Sequence, residues 1–84
     1  MNNTKWVVGA LERKLAFKGY AMNCSEEENG VITEYYDVTK QGQAYELKVS
    51  YEENAGHWVD FEIETREAGC EDWNYLDTLE VYIA

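Results

Sequence analysis

Two stretches of alternating apolar and polar residues, 43–53 and 57–67, constrain the fold of this chain more than any other feature. Successive side chains of a β-strand point to opposite faces of a sheet, so a period of two predicts strands that bury one face only. The apolar positions of the two stretches are Tyr45, Leu47, Val49, Tyr51, Val59, Phe61 and Ile63. Only Asn54-Ala55-Gly56 separates the stretches, and a three-residue loop that ends in glycine predicts an antiparallel hairpin.

The length of that loop also predicts which residues face each other. It pairs Tyr51 with Val59, Val49 with Phe61, Leu47 with Ile63, Lys48 with Glu62, and Glu46 with Glu64. Lysine opposite glutamate is attractive, whereas two facing glutamates repel each other, by about a few tenths of a kcal/mol in each case. The predicted register therefore contains one unfavourable pair that requires an explanation.

The N-terminal residues predict a single helix. Thr4 is a good N-cap and Gly19 is a good residue to follow a helix end, which predicts a helix from about Lys5 to Lys18. Gly9 costs such a helix about 1 kcal/mol relative to alanine, which points to a close approach between the helix and the sheet at this position.

The apolar side chains of this helix fall on two adjoining arcs. The first arc, predicted to face the core, holds Val7, Val8, Leu11, Leu15 and the stem of Lys18; the second holds Trp6, Ala10 and Phe17. We expect the C-terminal segment to cover the second arc. The alternative is that Trp6 and Phe17 are exposed and contact a partner.

The remaining segments predict further strands and tight turns. Residues 20–24 and 31–40 favour strands, separated by a turn over 25–30 whose Asn-Gly end suits positive φ, and Gln41-Gly42 predicts the next turn. The segment 68–84 fits either a helical stripe or a strand. Its β-branched end favours a strand from about Thr78.

Together these elements predict an α+β fold with a single N-terminal helix packed on an antiparallel sheet of four to five strands. A chain of 84 residues supports one core, so we expect residues 1–84 to form a single domain. The apolar run 6–11 is too short for a signal peptide, and no segment approaches the ~18 apolar residues of a membrane span. Two cysteines are too few for a secreted disulfide framework, so we expect a cytoplasmic location and no membrane contact.

The charge of the chain is large and unevenly distributed. The net charge is −10, but residues 1–20 hold four basic residues and one acid, whereas all of the other sixteen acids lie in 21–84 with three basic residues. An acidic surface repels nucleic acid and attracts a basic partner. Excess acid also keeps many small proteins dispersed, so solubility alone is the alternative explanation.

Residues that could carry catalysis do not form a recognisable pattern. His57 is the single histidine, and nothing in the sequence places Cys24 or Cys70 beside it as a nucleophile–base pair. With seventeen acids, carboxylate pairs arise by chance and do not indicate acid–base chemistry. We therefore predict that the protein is not an enzyme and uses no cofactor.

The acidic segment 26–30 has the composition of a calcium loop but not its spacing. If Gly30 takes the sixth position of an EF-hand loop, the twelfth position is Tyr36 instead of glutamate. Cysteines and histidine at zinc-site spacing and phosphate-binding glycine loops are also absent from the sequence. Weak binding of a divalent ion at this turn is the remaining metal hypothesis.

The outward side of the predicted sheet is the candidate site. Carboxylates around exposed aromatic side chains are typical of a protein interface, since the rings serve as anchors and the charges steer the partner. The candidate partner-binding residues are Tyr35, Glu46, Glu52, Trp58, Asp60, Glu62 and Glu64.

A resemblance in overall character points to one class of partner. The length, the lone helix with a sheet, and the acidic rows Glu26-Glu27-Glu28, Glu52-Glu53, Asp60-Phe61-Glu62-Ile63-Glu64 and Glu71-Asp72 resemble the small acidic inhibitors with which bacteriophages block host nucleases, including anti-CRISPR proteins and DNA mimics. These inhibitors share no sequence motif, so no binding residue is carried over from them. The resemblance implies stoichiometric inhibition, in which carboxylates occupy the Lys/Arg channel that a nuclease complex keeps for nucleic acid. The implied partner is a basic protein, with no direct binding of nucleic acid.

The second hypothesis is a small protein-interaction module, such as an antitoxin, an immunity protein or an adaptor. It would act as a monomer, or as a homodimer through an edge strand or through Trp6 and Phe17. The two hypotheses predict different effects of substitution, because charge reversal on the sheet would weaken partner binding only under the first hypothesis.

Overall fold

The alternating segments form strands in the computed structural model of the protein, which describes residues 4–52 and 56–82. Helix α1 spans Thr4–Lys14, and the strands are β1 (Lys18–Glu28), β2 (Val31–Lys40), β3 (Gln43–Glu52), β4 (Trp58–Glu67) and β5 (Asn74–Tyr82). Each strand pairs antiparallel with its neighbour in sequence, so the sheet has the order β1-β2-β3-β4-β5 and is not closed. The predicted combination of one N-terminal helix with an antiparallel sheet is confirmed.

Two-residue turns connect the first three strands. Asn29 and Gly30 have φ values of 54° and 80°, and Gln41 and Gly42 have values of 51° and 80°. Positive φ at both central residues is typical of the type I′ hairpin turn, whose twist matches that of the flanking strands. Both turns are confirmed, but the predicted turn over 25–30 is too long. Residues 25–28 continue β1 and pair with β2, because Asn-Gly alone reverses the chain.

The helix is shorter than predicted. It ends at Lys14, and the expected extension to Lys18 is wrong because Lys18 already begins β1. Gly19 has the left-handed φ of 67° expected of a residue that follows a helix, but it lies at a register irregularity between Lys18 and Ala21. Its conformational freedom therefore serves a β-bulge and not a helix cap.

The predicted close approach of the sheet at Gly9 is also wrong. A Cβ atom built at Gly9 would meet only the side chain of Arg13, whose Nη1 atom would lie 3.7 Å away. The glycine has no packing role that the described residues reveal.

The core lies between α1 and one face of the sheet, here called the inner face. Its buried residues are Val7, Ala10, Leu11, Phe17, Tyr36, Val38, Leu47, Val49, Tyr51, Val59, Phe61, Ile63 and Val81. The predicted inward residues of β3 and β4 all belong to this core, except Tyr45, which is half-buried against it.

The second arc of the helix segment is covered differently from the prediction. The ring of Phe17 packs edge-on against Tyr45 with 5.6 Å between centroids, and the Lys40 ammonium lies 5.6 Å from the Phe17 centroid. The C-terminal segment instead forms β5 beside β4, so the expectation that it covers Phe17 is wrong. The side chain of Trp6 lies outside the described part of the chain.

The β3–β4 hairpin has a register two residues away from the predicted one. Val49 faces Ile63, Lys48 faces Glu64, and Glu46 faces Arg66. A shift of two residues leaves every side chain on the same face, so the predicted burial is confirmed although the predicted register is wrong. The shift replaces one attractive and one repulsive pair with two attractive pairs. Residues 53–55 of the predicted loop lie outside the described residues.

The C-terminal segment is a strand, as predicted, but it begins at Asn74 and not at Thr78. Leu79 and Val81 lie on the inner face. Ile63 faces Asp77 whereas Glu64 faces Tyr75, so Leu76 is an extra residue that forms a bulge in β5.

Within the described ranges, no helix is long and apolar enough to cross a membrane.

Candidate functional site

The strand register places all seven predicted site residues on the side of the sheet that faces away from α1, here called the outer face. These residues are Tyr35, Glu46, Glu52, Trp58, Asp60, Glu62 and Glu64. They do not form one uniform site, because the charged residues among them fall into two regions of the outer face.

The first region, here called the compensated half, consists of Glu46, Lys48, Glu64 and Arg66. The Arg66 Nε atom donates a hydrogen bond of 2.7 Å to Glu46 Oε1. The Lys48 Nζ atom lies 3.6 Å from Glu64 Oε2. Two of the predicted partner-binding carboxylates are thus already paired with cations of the same face.

Trp73, in the segment between β4 and β5, covers this compensated half. The Arg66 guanidinium lies 4.1 Å from the centroid of the Trp73 ring, and the Lys48 ammonium lies 5.9 Å from it. The rings of Tyr35 and Trp73 are in contact, with 6.0 Å between centroids. Arg66 also donates from Nη1 to the Glu71 carbonyl at 3.2 Å, which fixes this segment to the sheet. Tyr35 is therefore half-buried beneath Trp73 and is not an exposed anchor.

The second region, here called the acidic half, lies at the end of the sheet that carries the β1–β2 and β3–β4 turns. Its six carboxylates are exposed, and they belong to Glu26, Glu28, Glu52, Asp60, Glu62 and Glu80. Rows across the strands connect them: Glu28 faces Val31, Val31 faces Glu52, and Asp60 faces Glu80. The next row runs Glu26, Thr33, Ser50, Glu62 and Thr78 and, like the first, contains no Lys or Arg. The negative charge of this half is therefore not balanced on its own face.

Exposed aromatic rings border the acidic half. Trp58 is 56% exposed and Tyr82 is 54% exposed, and their rings are in contact with 5.0 Å between centroids. The His57 ring also stacks on Tyr82, with 5.8 Å between centroids. The alternation in β4 correctly predicted that Trp58 points outward. The contact between Trp58 and Tyr82 was not predicted, because the sequence did not reveal the position of β5.

A groove of about 410 Å³ lies between Trp58 and carboxylates of the acidic half. It is lined by Val31, Ser50, Tyr51, Glu52, Trp58, Asp60 and Glu62. Four of the seven predicted site residues thus line one groove, while Glu46 and Glu64 belong to the compensated half and Tyr35 lies beneath Trp73, which covers that half. The chemistry of the groove is that of a surface for cationic side chains, since it offers carboxylates beside an aromatic face.

A buried polar cluster on the inner face was missed by sequence reasoning. Glu34 is only 4% exposed, and its two carboxyl oxygens accept hydrogen bonds from the Tyr36 hydroxyl at 2.5 Å and the Tyr51 hydroxyl at 3.0 Å. Burial, together with the hydrogen bond to Glu34, raises the pKa of Tyr36 well above its ordinary value of 10. The alternation in β2 could have predicted that Glu34 points inward, because Glu34 has the same parity as Tyr36 and Val38.

Candidate catalytic and metal-binding groups remain apart. Cys24 lies on β1 at one edge of the sheet, whereas His57 contacts Tyr82 of β5 at the other edge. Cys24 and Cys70 are both free, exposed thiols. Across residues 4–52 and 56–82, no three His, Cys, Asp or Glu side chains are arranged to hold a metal ion.

The acidic half and its bordering rings are therefore the candidate functional surface. No protein-family model matches the chain, and no curated protein or solved structure matches it.

Proposed function

We propose that this protein binds the basic nucleic-acid-binding surface of another protein and blocks it stoichiometrically. The partner class is a nuclease or a CRISPR effector complex, and the binding surface is the acidic half with its bordering aromatic rings. The mechanism requires no chemistry on a substrate. Occupation of a Lys/Arg channel is enough to exclude DNA or guide RNA.

The observation that carries the proposal is the separation of charge on the outer face. Lys48 and Arg66 are held at one end by Glu64 and Glu46, beneath Trp73. Acids kept only for solubility would need no such separation. Concentrating the cations at one end leaves the other end free to meet a cationic partner without competition from cations of the same face.

The spacing of the carboxylates also supports the proposal. Asp60 and Glu62 point to the same side of one strand, two residues apart, so their Cα atoms are separated by about 6.6 Å, and neighbouring strands lie about 4.8 Å apart. Duplex DNA presents one phosphate per about 3.4 Å of axis on each strand. The charge density of the acidic half is thus of the same order as that of nucleic acid. Pairing of these carboxylates with partner cations would displace the counterions around them, as happens when nucleic acid binds.

The proposal is tested with a panel of purified nucleases and CRISPR effector complexes. Binding to each protein and inhibition of its cleavage activity are measured at about 50 mM and about 200 mM salt. We expect at least one member to bind with inhibition that saturates at a fixed stoichiometry. We also expect affinity to fall by about tenfold or more over this range of salt, because several partner cations become paired.

A pair of matched double variants locates the binding surface. Asp60→Lys with Glu62→Lys reverses two charges of the acidic half, whereas Glu12→Lys with Glu67→Lys changes the net charge equally at exposed sites away from it. The first variant should lose inhibition and the second should keep it. If both variants lose inhibition equally, or if no panel member binds at low salt, the proposal is wrong.

A further inference from the structure

The two edges of the sheet differ in their ability to accept another strand. β1 is interrupted by register irregularities between Lys18 and Ala21 and between Met22 and Cys24. Bulges of this kind twist an edge and hinder pairing with a further strand. β5 has one bulge at Leu76, and the range 77–82 then pairs residue by residue with β4. The regular edge is therefore on β5.

The direction of the backbone groups on this edge can be assigned. The Thr78 N–H donates to Asp77 Oδ1 at 2.8 Å, so it points away from β4. Alternate residues of a strand in an antiparallel pair direct their N–H and C=O groups to the same side. The backbone groups of Glu80 and Tyr82 therefore also point away from β4. No strand within the described ranges pairs with that side of β5.

The side chains along this edge fit a strand of a particular pattern. On the outer face, Glu80 lies beside Asp60 of β4, which favours a cationic side chain at the neighbouring position. On the inner face, Leu79 is half-buried and Val81 lies at the margin of the core, so an apolar side chain there would extend the core. A strand in which basic and apolar residues alternate satisfies both faces.

A second copy of this chain fits the edge poorly. β5 contains Asp77 and Glu80 but no Lys or Arg, so a second β5 strand offers these acids no cation with which to pair. Each chain also carries a net charge of −10, which opposes self-association. Charge complementarity therefore selects a basic segment of another protein.

We propose that β5 accepts an extended basic segment of the partner as a sixth strand of the sheet. This inference rests on the proposed function, because the basic partner is the same, and it adds the element and the backbone geometry of binding. Lys or Arg side chains of the segment lie on the outer face toward the acidic half, and its apolar side chains cover Leu79 and Val81. The Asp77 carboxylate, which occupies the Thr78 N–H in the free protein, is displaced by a partner carbonyl.

The test uses a fluorescently labelled peptide of about ten residues in which Lys or Arg alternates with Val. In two further peptides every second amide is N-methylated. The first is methylated at its odd-numbered residues and the second at its even-numbered residues. Only one side of an added strand faces β5, so one methylated peptide should lose about tenfold or more in affinity while the other keeps the affinity of the parent. Amide hydrogen exchange of Glu80 and Tyr82 should slow on binding.

Substitutions at Glu80 test the same edge from the side of the protein. Glu80→Pro removes an N–H that points away from β4, a position at which an edge strand tolerates proline. Glu80→Gln is the matched control, since it removes the same charge and keeps the N–H. Glu80→Pro should bind the parent peptide about tenfold or more weakly than Glu80→Gln. If the proline variant does not fold, the comparison of the two methylated peptides still tests whether the peptide pairs with β5.

Equal binding of the two methylated peptides, or no binding of the parent peptide, would overturn strand addition. A concentration-dependent dimer that Glu80→Pro disrupts would also overturn it and would identify a second copy as the occupant. Loss of binding on Asp60→Lys with Glu62→Lys, together with equal binding of the methylated peptides, would keep the proposed function and reject the sixth strand. If only one methylated peptide lost affinity while salt and charge reversal had no effect on binding, the sixth strand would be kept and the proposed function rejected.

Discussion

Glu34 is a carboxyl group buried in the core, where two tyrosine hydroxyls donate hydrogen bonds to it. Glu34→Ala would remove the carboxyl group that accepts hydrogen bonds from the Tyr36 and Tyr51 hydroxyls, and the loss of the partner of a buried polar group costs about 1–3 kcal/mol. We expect the free energy of unfolding to fall by about 3 kcal/mol, as measured by urea denaturation.

Tyr51→Phe is the matched control for this cluster. It removes one hydroxyl and leaves Glu34 with the hydrogen bond from Tyr36, so the loss should be about 1 kcal/mol. An alanine variant as stable as the phenylalanine variant would contradict the role given to the carboxyl group.

Tyr20 makes the stability of the fold sensitive to alkaline pH. Its hydroxyl is buried without a hydrogen-bond partner among the described residues, and burial together with the charge of Glu12 raises its pKa to about 12. Between about pH 10 and 12 the unfolded chain releases the phenolic proton while the folded chain keeps it, so the stability of the folded state falls as pH rises. Tyr36 contributes in the same direction.

Tyr20→Phe should therefore reduce the loss of stability between about pH 10 and 12. At pH 7 the variant should be at least as stable as the native chain, because it removes a buried hydroxyl that has no partner. Urea denaturation at each pH measures both effects. A native-like pH dependence in the variant would show that another group is responsible.

At the scale of elements, the two glycines near the helix should respond in opposite ways to alanine. Gly9→Ala meets only ordinary contact with Arg13 and removes the low helix propensity of glycine, so it should stabilise the protein by about 1 kcal/mol. Gly19→Ala forces a side chain into a φ of 67° and should destabilise it by about 1 kcal/mol. Thermal and urea denaturation compare the two variants. A destabilised Gly9→Ala would indicate a contact at α1 beyond those described.

Local patterns were sufficient to predict most of the strands but not their alignment. Alternation determines on which face a residue lies, and this parity is unchanged when β4 slides by two residues against β3. The choice between the two registers depends on cross-strand charge, since Arg66 then faces Glu46. The unfavourable Glu46–Glu64 pair in the predicted register was the available sign that the hairpin lies elsewhere.

Other features depend on contacts between residues distant in sequence and could not be predicted locally. Trp73 belongs to the helical stripe that the segment 68–84 also fits, but its position is determined by contacts with Arg66 of β4 and Lys48 of β3. Gly19 suits a helix end and a β-bulge equally well, so the residue type alone cannot distinguish them. Of the candidate site, the outward direction of its side chains was predictable. Its division into a compensated half and an acidic half was not, because that division depends on the register and on Trp73.

At the scale of the whole molecule, the charge needed for the proposed function should oppose the stability of the fold. Asp60 faces Glu80 across β4 and β5, and like charges in facing positions destabilise a sheet. Asp60→Lys should therefore raise the free energy of unfolding by about a few tenths of a kcal/mol at low salt while it weakens partner binding. The gain in stability should shrink at about 1 M salt, where the screening length is only about 3 Å.

Denaturation and binding measured on the same Asp60→Lys preparation test this opposition. Glu67→Lys is the control, because Glu67 faces Tyr45 and not a carboxylate. A variant that loses stability and binding together would point to damage to the fold and not to loss of a binding charge.

The order of strands in the sheet, which is also their order in the chain, has a consequence for how the protein folds. Every strand pairs with its neighbour in sequence, so the sheet can assemble as successive hairpins without closing a long loop. The apolar side of α1, by contrast, packs into a core that includes residues of β2, β3, β4 and β5. The helix precedes every strand in the chain, but we expect it to dock among the last, once later hairpins have built the surface that receives it.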